Sequence, residues 1–246
     1  MQAPSPRPRR LSDYTVVWVE LFVAAFTILP FFALAYFYPV LPERVPLFMS
    51  PNGEVAVWGA KSWLSVYRVA LMAAVTQVVC LLMKYGVVQS AAAPDAGEAG
   101  EADDRARLYG QSAALGAGLW DWFRCIAAFK MGAATLDVIS LGVERLRFLS
   151  KPAFVVTLLA ALLSVPVALY YGRRLLILRR RMREAFGEAG ARKPVDAGRV
   201  YGGLLYFNPS DPALFVNRYG LNFADVRAWV FMACLIAYPL LVFLPA

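Results

Sequence analysis

Histidine is absent from all 246 residues. That removes the commonest metal ligand, the usual general base and the one side chain that ordinarily titrates near neutrality. Ser-His and Cys-His pairs and His-based zinc motifs are excluded with it. Cysteine is scarce: Cys80, Cys125 and Cys234 each lie inside an apolar run, without Cys-x-x-Cys spacing, and are expected to be small buried hydrophobes, not a disulfide framework. A glycine-rich phosphate loop is also missing, since Gly202-Gly203 sits in a strand-like run with no Lys-Ser or Lys-Thr after it. The two aspartates inside apolar segments, Asp121 and Asp137, fall on one predicted helix about 24 Å apart by its rise, too far for an acid dyad. The sequence therefore predicts no catalytic residue, no metal, no cofactor and no enzyme.

What is plentiful is apolar surface. Hydrophobic residues make up 60% of the chain and the mean hydropathy is +0.54, which places it in the membrane class. The net charge of +8 is read against topology, because cytoplasmic loops collect Lys and Arg, and no nucleic-acid partner is expected. Residues 1–14 form a Pro-rich basic cytoplasmic tail. Residues 15–83 hold two transmembrane helices, Thr15 to Phe37 with a kink near Pro30 and Trp63 to Met83, joined by loop 38–61. Residues 84–118 read as a cytoplasmic linker whose low-complexity part, AAAPDAGEAGEADD, has no apolar face to bury. Residues 119–172 hold the third and fourth helices, 173–227 a basic juxtamembrane helix and a hairpin, and 228–246 the last helix.

The third segment is the polar one, but charge bookkeeping favours its spanning. With it, about 17 of the 25 basic residues lie inside and about 5 outside; without it, RRLLILRRRMR falls on the outer side. The expected fold is an all-α transmembrane multi-pass helical bundle of about five helices, with a Pro-rich extracytoplasmic loop and a small cytoplasmic β-hairpin. The expected location is the bacterial inner (cell) membrane, N-terminus cytoplasmic and C-terminus outside, with the lipid bilayer as first partner.

Charges within apolar segments need counter-charges. By helix rise, Glu20 and Arg124 lie about 7 to 8 Å from the inner boundary, and Arg68 and Asp137 about 6 to 8 Å from the outer one. Two interhelical ion pairs, Glu20–Arg124 and Arg68–Asp137, are therefore expected. Lys130 is left near the midplane, where it either turns to Asp137 or lines a wet cavity. Beyond the fourth helix, Arg173 to Arg183 encloses Leu175, Leu176, Ile177 and Leu178 between arginine clusters, as suits a helix resting on an anionic leaflet.

Two stretches carry more than hydropathy. In loop 38–61, Pro39, Pro42, Pro46 and Pro51 exclude a helix, and Pro51-Asn52-Gly53 has turn chemistry. The order Tyr-Pro-x-Leu-Pro-x-x-Val-Pro, then Asn52-Gly53, then Lys61 eight residues after the glycine, resembles the N-terminal loop domain of the SdpI family. Those are bacterial multi-pass membrane proteins that act as immunity proteins and signal transducers. Phe48 stands where the family's loops usually carry histidine, so no histidine-dependent role transfers.

The second stretch, 200–223, is expected to pair Gly203–Phe207 with Ala213–Val216 across Asn208-Pro209-Ser210-Asp211-Pro212. Its pattern Tyr-Phe-Asn-Pro-x-Asp-Pro-x-x-Phe-Val, which includes Phe215, followed by Gly-Leu-Asn-Phe with Asn222, resembles a small domain of unknown function found near the C-terminal end of proteins with the SdpI-type loop. The Arg-Thr-Pro-Trp-Thr type segment of full SdpI proteins is missing. The resemblance implies a receptor, regulator or immunity-type protein, with an extracytoplasmic peptide on loop 38–61 and a cytoplasmic regulator on the hairpin. A small transporter built around Lys130 and Asp137 is the alternative, and a compact cap is the alternative for the hairpin.

Overall fold

The computed structural model describes residues 10–49, 55–90, 99–190, 200–201, 205–209, 214–216 and 220–243. It is mostly helical: α1 (Val17–Phe37), α2 (Trp63–Ser90), α3 (Ala99–Gly142), α4 (Ser150–Gly190) and α5 (Val226–Phe243). Four of these, α1 to α4, are long and apolar enough to cross a membrane, and within the described residues α5 offers the shorter apolar stretch Val226–Leu241. α1 runs on through the buried Pro30. The strands are short: β1 (Arg44–Met49), β2 (Val55–Ala60), β3 (Val200–Tyr201), β4 (Leu205–Tyr206), β5 (Phe215–Val216) and β6 (Gly220–Leu221).

Helix α3 is the largest departure from expectation. The segment assigned to a solvent-exposed linker is helical up to Ser90 and again from Ala99. The physical reason lies in its spacing: Tyr109, Ala113 and Ala117 fall on one helical face and are buried, and Tyr109 packs against Leu178 and Met182 of α4. Small residues permit the approach, since a Cβ on Gly116 would stand 2.3 Å from Val87 Cγ1.

The chain divides into two compact units. One comprises Val16–Cys80, Trp122–Pro166 and the segment from Ala233. Its core joins Leu34 of α1, Leu41, Val45 of β1, Val66 and Ala70 of α2, and Val138 and Ile139 of α3. Loop 38–61 is thus not irregular but a β1–β2 antiparallel hairpin, which the sequence reading did not foresee. Its ladder is irregular between Pro46 and Phe48, where proline cannot donate a ladder hydrogen bond. Ser62 caps α2, its Oγ accepting from the backbone N–H of Ser65 at 3.0 Å.

The other unit comprises the segment ending at Thr15, Leu81–Asp121 and Val167–Met232. Here the expected hairpin is replaced by two smaller ones, β3–β4 and β5–β6, joined by a parallel bridge between Tyr206 and Asn222. Leu214, Leu221 and Ala228 form its apolar centre against Leu82 and Tyr85 of α2.

Close approach yields a test. A Cβ on Gly142 would lie 2.5 Å from Leu41 Cδ2 and 3.2 Å from Pro42 Cδ, whereas one on Gly172 meets nothing within 4 Å. Gly142→Val should cost about 1–3 kcal/mol by overpacking, and Gly172→Ala should be neutral or slightly stabilising. Thermal unfolding of the detergent-purified protein measures both; equal melting of the two variants would contradict this packing.

Candidate functional site

The first candidate surface surrounds the end of the β1–β2 hairpin. Trp63 and Tyr67 lie one turn apart on α2, and Tyr38 follows directly on α1. Their rings form a ladder: Tyr38 stacks on Trp63 at 4.4 Å, Trp63 on Tyr67 at 5.2 Å, and Tyr67 on Phe31 at 6.1 Å between centroids. Phe31, Trp63, Leu64, Tyr67 and Leu71 line an open, almost wholly apolar groove, and Trp63 is 65% exposed.

Of the residues expected to bind a ligand, Lys61 turns inward on this frame. Its Nζ donates to the carbonyl of Leu41 at 2.9 Å and reaches that of Pro39 at 3.5 Å, and it sits 5.0 Å from the Tyr38 ring centroid. Lys61 therefore satisfies carbonyls left open where α1 ends, as a cation at a helix C-terminus does. Pro46 is buried opposite Trp58, Pro42 packs against Gly142, and Pro39 is exposed. Asn52 and Gly53 lie outside the described residues.

Buried charge is the second feature. Arg124 grips Glu20 in a two-pronged pair, Nη1 to Oε1 at 2.7 Å and Nη2 to Oε2 at 2.6 Å, with the Arg124 side chain 5% exposed. This is the expected pair. Gln77 Nε2 adds a 3.0 Å hydrogen bond to the Arg124 carbonyl. The expected Arg68–Asp137 pair does not form: Asp137 is buried, and its Oδ1 has no hydrogen-bond partner. Matching depth along two helices says nothing about azimuth, and azimuth decides whether side chains meet. Lys130 is half-buried and joins no ion pair among the described residues, neither with Asp137 nor with another acid.

Sequence reasoning missed the pair in the other unit. Lys84, fully buried, donates to both carboxylate oxygens of Asp121 at 2.7 and 2.8 Å. The signal is a lysine ending one apolar run and an aspartate opening another, but the expected linker 84–118 takes in Lys84.

The third feature is the small C-terminal knot. Asn222 Oδ1 accepts from the Asn208 backbone N–H at 3.0 Å, and Asn222 Nδ2 donates to the Asn208 carbonyl at 2.9 Å, so one side-chain amide replaces a stretch of β-ladder. Asn208 Nδ2 in turn donates to the Tyr206 hydroxyl at 2.9 Å. Both asparagines are buried. Pro209 is exposed, Phe215 pairs with Leu221, and Asp211 and Pro212 lie outside the described residues. Asp225 caps α5 through a 2.9 Å bond from the Arg227 N–H and accepts Arg227 Nε at 2.8 Å, while the guanidinium covers the Tyr85 ring at 4.0 Å.

No group of histidine, cysteine or acidic side chains among the described residues could hold a metal ion. Comparison with protein-family models, curated proteins and solved structures finds no match. The likeness of loop 38–61 to the SdpI-type loop therefore rests on its residues alone.

Two predictions follow from the ion pairs. Glu20→Leu or Arg124→Leu alone strands a charge among apolar groups and should cost about 3–5 kcal/mol, whereas the double variant should recover most of that loss; unfolding of all three in detergent measures the coupling. Hydrogen bonding from the Arg227 side chain holds the Asp225 carboxyl below the usual carboxylate range. Its stabilisation is accordingly present above the ordinary carboxylate pKa and lost as pH falls through the lower folded value. Trp229, whose indole N–H donates to the Phe223 carbonyl at 3.1 Å, reports this: its fluorescence should hold steady from neutral pH into mild acid and change only below the ordinary aspartate range, a change Asp225→Asn should abolish.

Proposed function

We propose that the protein is a non-enzymatic integral membrane protein of the bacterial cell membrane that recognises an extracytoplasmic peptide at the aromatic groove beneath the β1–β2 hairpin, in the manner of an SdpI-like receptor or immunity protein. The carrying observation is the ring ladder Tyr38–Trp63–Tyr67–Phe31, in which Phe31, Tyr38 and Tyr67 pack partly on the core while Trp63 stands 65% exposed at the edge of the apolar groove. Bilayer embedding is supported by helices whose large apolar side chains point outward, among them Trp18, Phe32, Leu159 and Leu169. With the N-terminus cytoplasmic, the hairpin faces outside and the Tyr206–Asn222 knot faces inside, where a cytoplasmic regulator meets its surface rather than its buried asparagines.

The ligand class follows from the groove. Its lining of rings and leucines fits an apolar or amphipathic peptide that reaches the outer leaflet first, and it offers no anchoring charge because Lys61 is already engaged. A transporter is the second reading, favoured by Asp137, a buried carboxylate with an oxygen that has no hydrogen-bond partner.

One experiment separates the two. Bacteria expressing the chain are co-cultured with strains that secrete membrane-active peptides, and survival is compared for the native protein, Trp63→Ala, Tyr67→Ala and Asp137→Asn at equal membrane abundance. The receptor reading expects protection by the native chain, loss by about tenfold or more for either ring variant, and tolerance of Asp137→Asn. Protection that survives both ring changes but is lost in Asp137→Asn would transfer the function to the transporter reading.

A further inference from the structure

The outer face of α4 beyond Tyr170 is built differently from the rest of the helix. Between Arg173 and Arg183 stand six arginines, no lysine and no acid: Arg173, Arg174, Arg179, Arg180, Arg181 and Arg183. All six are exposed, and none takes part in an ion pair among the described residues. The four apolar residues between the clusters do not share one environment. Leu178 is buried, and with Met182 it packs on Tyr109, whereas Leu176 and Ile177 remain exposed at 62% and 42%.

Helical spacing puts Arg173, Leu176, Ile177 and Arg180 in one stripe, with arginine about 10 Å apart at either end and the apolar pair between. Tyr170, 54% exposed, lies under the Arg174 guanidinium at 5.5 Å, an aromatic placed where an apolar helical segment ends.

We infer that this stripe is a binding site for the phosphate headgroups of anionic phospholipids, with Leu176 and Ile177 entering between them. Three observations choose this occupant over any other polyanion. The arginines continue directly from an apolar helix long enough to cross a bilayer, so the first cluster stands at headgroup level by covalent connection. An exposed apolar pair between the clusters suits a lipid boundary and would be wasted against a nucleic-acid backbone. Guanidinium alone, without ammonium, suits two-pronged contact with phosphate oxygens. The inference rests on the membrane-embedded reading above and adds a headgroup preference to it.

The test uses the full chain with Cys80, Cys125 and Cys234 replaced by alanine and a polarity-sensitive fluorophore at Ile177→Cys, reconstituted into nanodiscs of phosphatidylcholine with or without phosphatidylglycerol. In phosphatidylglycerol discs the emission should shift to the blue and the probe should become protected from an aqueous quencher, and molar salt should reverse both changes. Arg179→Gln, Arg180→Gln and Arg181→Gln combined should reduce the protection to that in phosphatidylcholine alone, while Arg145→Gln with Arg147→Gln, exposed arginines before α4, should leave it intact. Equal protection in both disc types, or a phosphatidylglycerol effect that survives the triple change, would overturn the inference. So would a probe indifferent to phosphatidylglycerol but shifted by a short DNA duplex, which would assign the stripe to nucleic acid. Failure of the chain to enter nanodiscs at all would instead contradict the membrane reading.

Discussion

A charge buried in an apolar bundle is costly unless its opposite meets it, and helix α3 answers that cost at two positions while Lys130 and Asp137 join no ion pair among the described residues. It brings Arg124 to Glu20 in one unit and Asp121 to Lys84 in the other, each through two short hydrogen bonds. The same helix is the most enclosed of the four: 44% of its most apolar window is buried, against 17% for α1, 33% for α2 and 11% for α4. Low hydropathy in α3 accompanies its enclosure by protein, where two of its charges, Asp121 and Arg124, are matched. Conversely, α4 carries its charge at its ends and presents almost unbroken aliphatic surface between them.

The residues that make the two motifs distinctive serve the fold before they serve a ligand. Lys61 ties the hairpin to carbonyls at the end of α1, and Asn222 reproduces a strand's hydrogen bonds with a side chain. Both place their polar groups on partners within the chain, so among the described residues the proposed recognition would rest on shape and aromatic surface. Rings suit this task, since they bury large area with few rotatable bonds and tolerate a headgroup environment.

Composition and periodicity made the helical class, the apolar segments and the Glu20–Arg124 pair legible, because these depend on where residues fall along an axis. Rotation about that axis was not legible, which is why the expected Arg68–Asp137 pair does not form; Lys84 was missed for another reason, because the expected linker begins at it. The α3 extension was hidden by low-complexity acidic residues next to an Ala-rich face, whose helix is held by the apolar packing of Tyr109 on Leu178 and Met182. Proline counting argued against a helix at 38–61, where the turn Tyr38–Val40 is 3-10 helical, and could not reveal β1–β2, in which Pro46 lies beside an irregular register. The division of residues 200–221 into two hairpins depends on Asn222 reaching Asn208, a contact fourteen residues apart that local turn rules do not see.

A shallow groove of five side chains buries far less than the roughly 1,000 Å² that a stable protein interface needs, so a receptor of this form would bind a freely dissolved peptide weakly. Partition changes the arithmetic. An amphipathic peptide already lying in the outer leaflet has lost one dimension of search and part of its orientational freedom, and its concentration beside the groove far exceeds that in bulk water. On the proposed reading, the same contacts would then suffice for occupancy at low total ligand. The selectivity of such a site would, on that reading, fall on peptides that insert to the level of Trp63 and Tyr67.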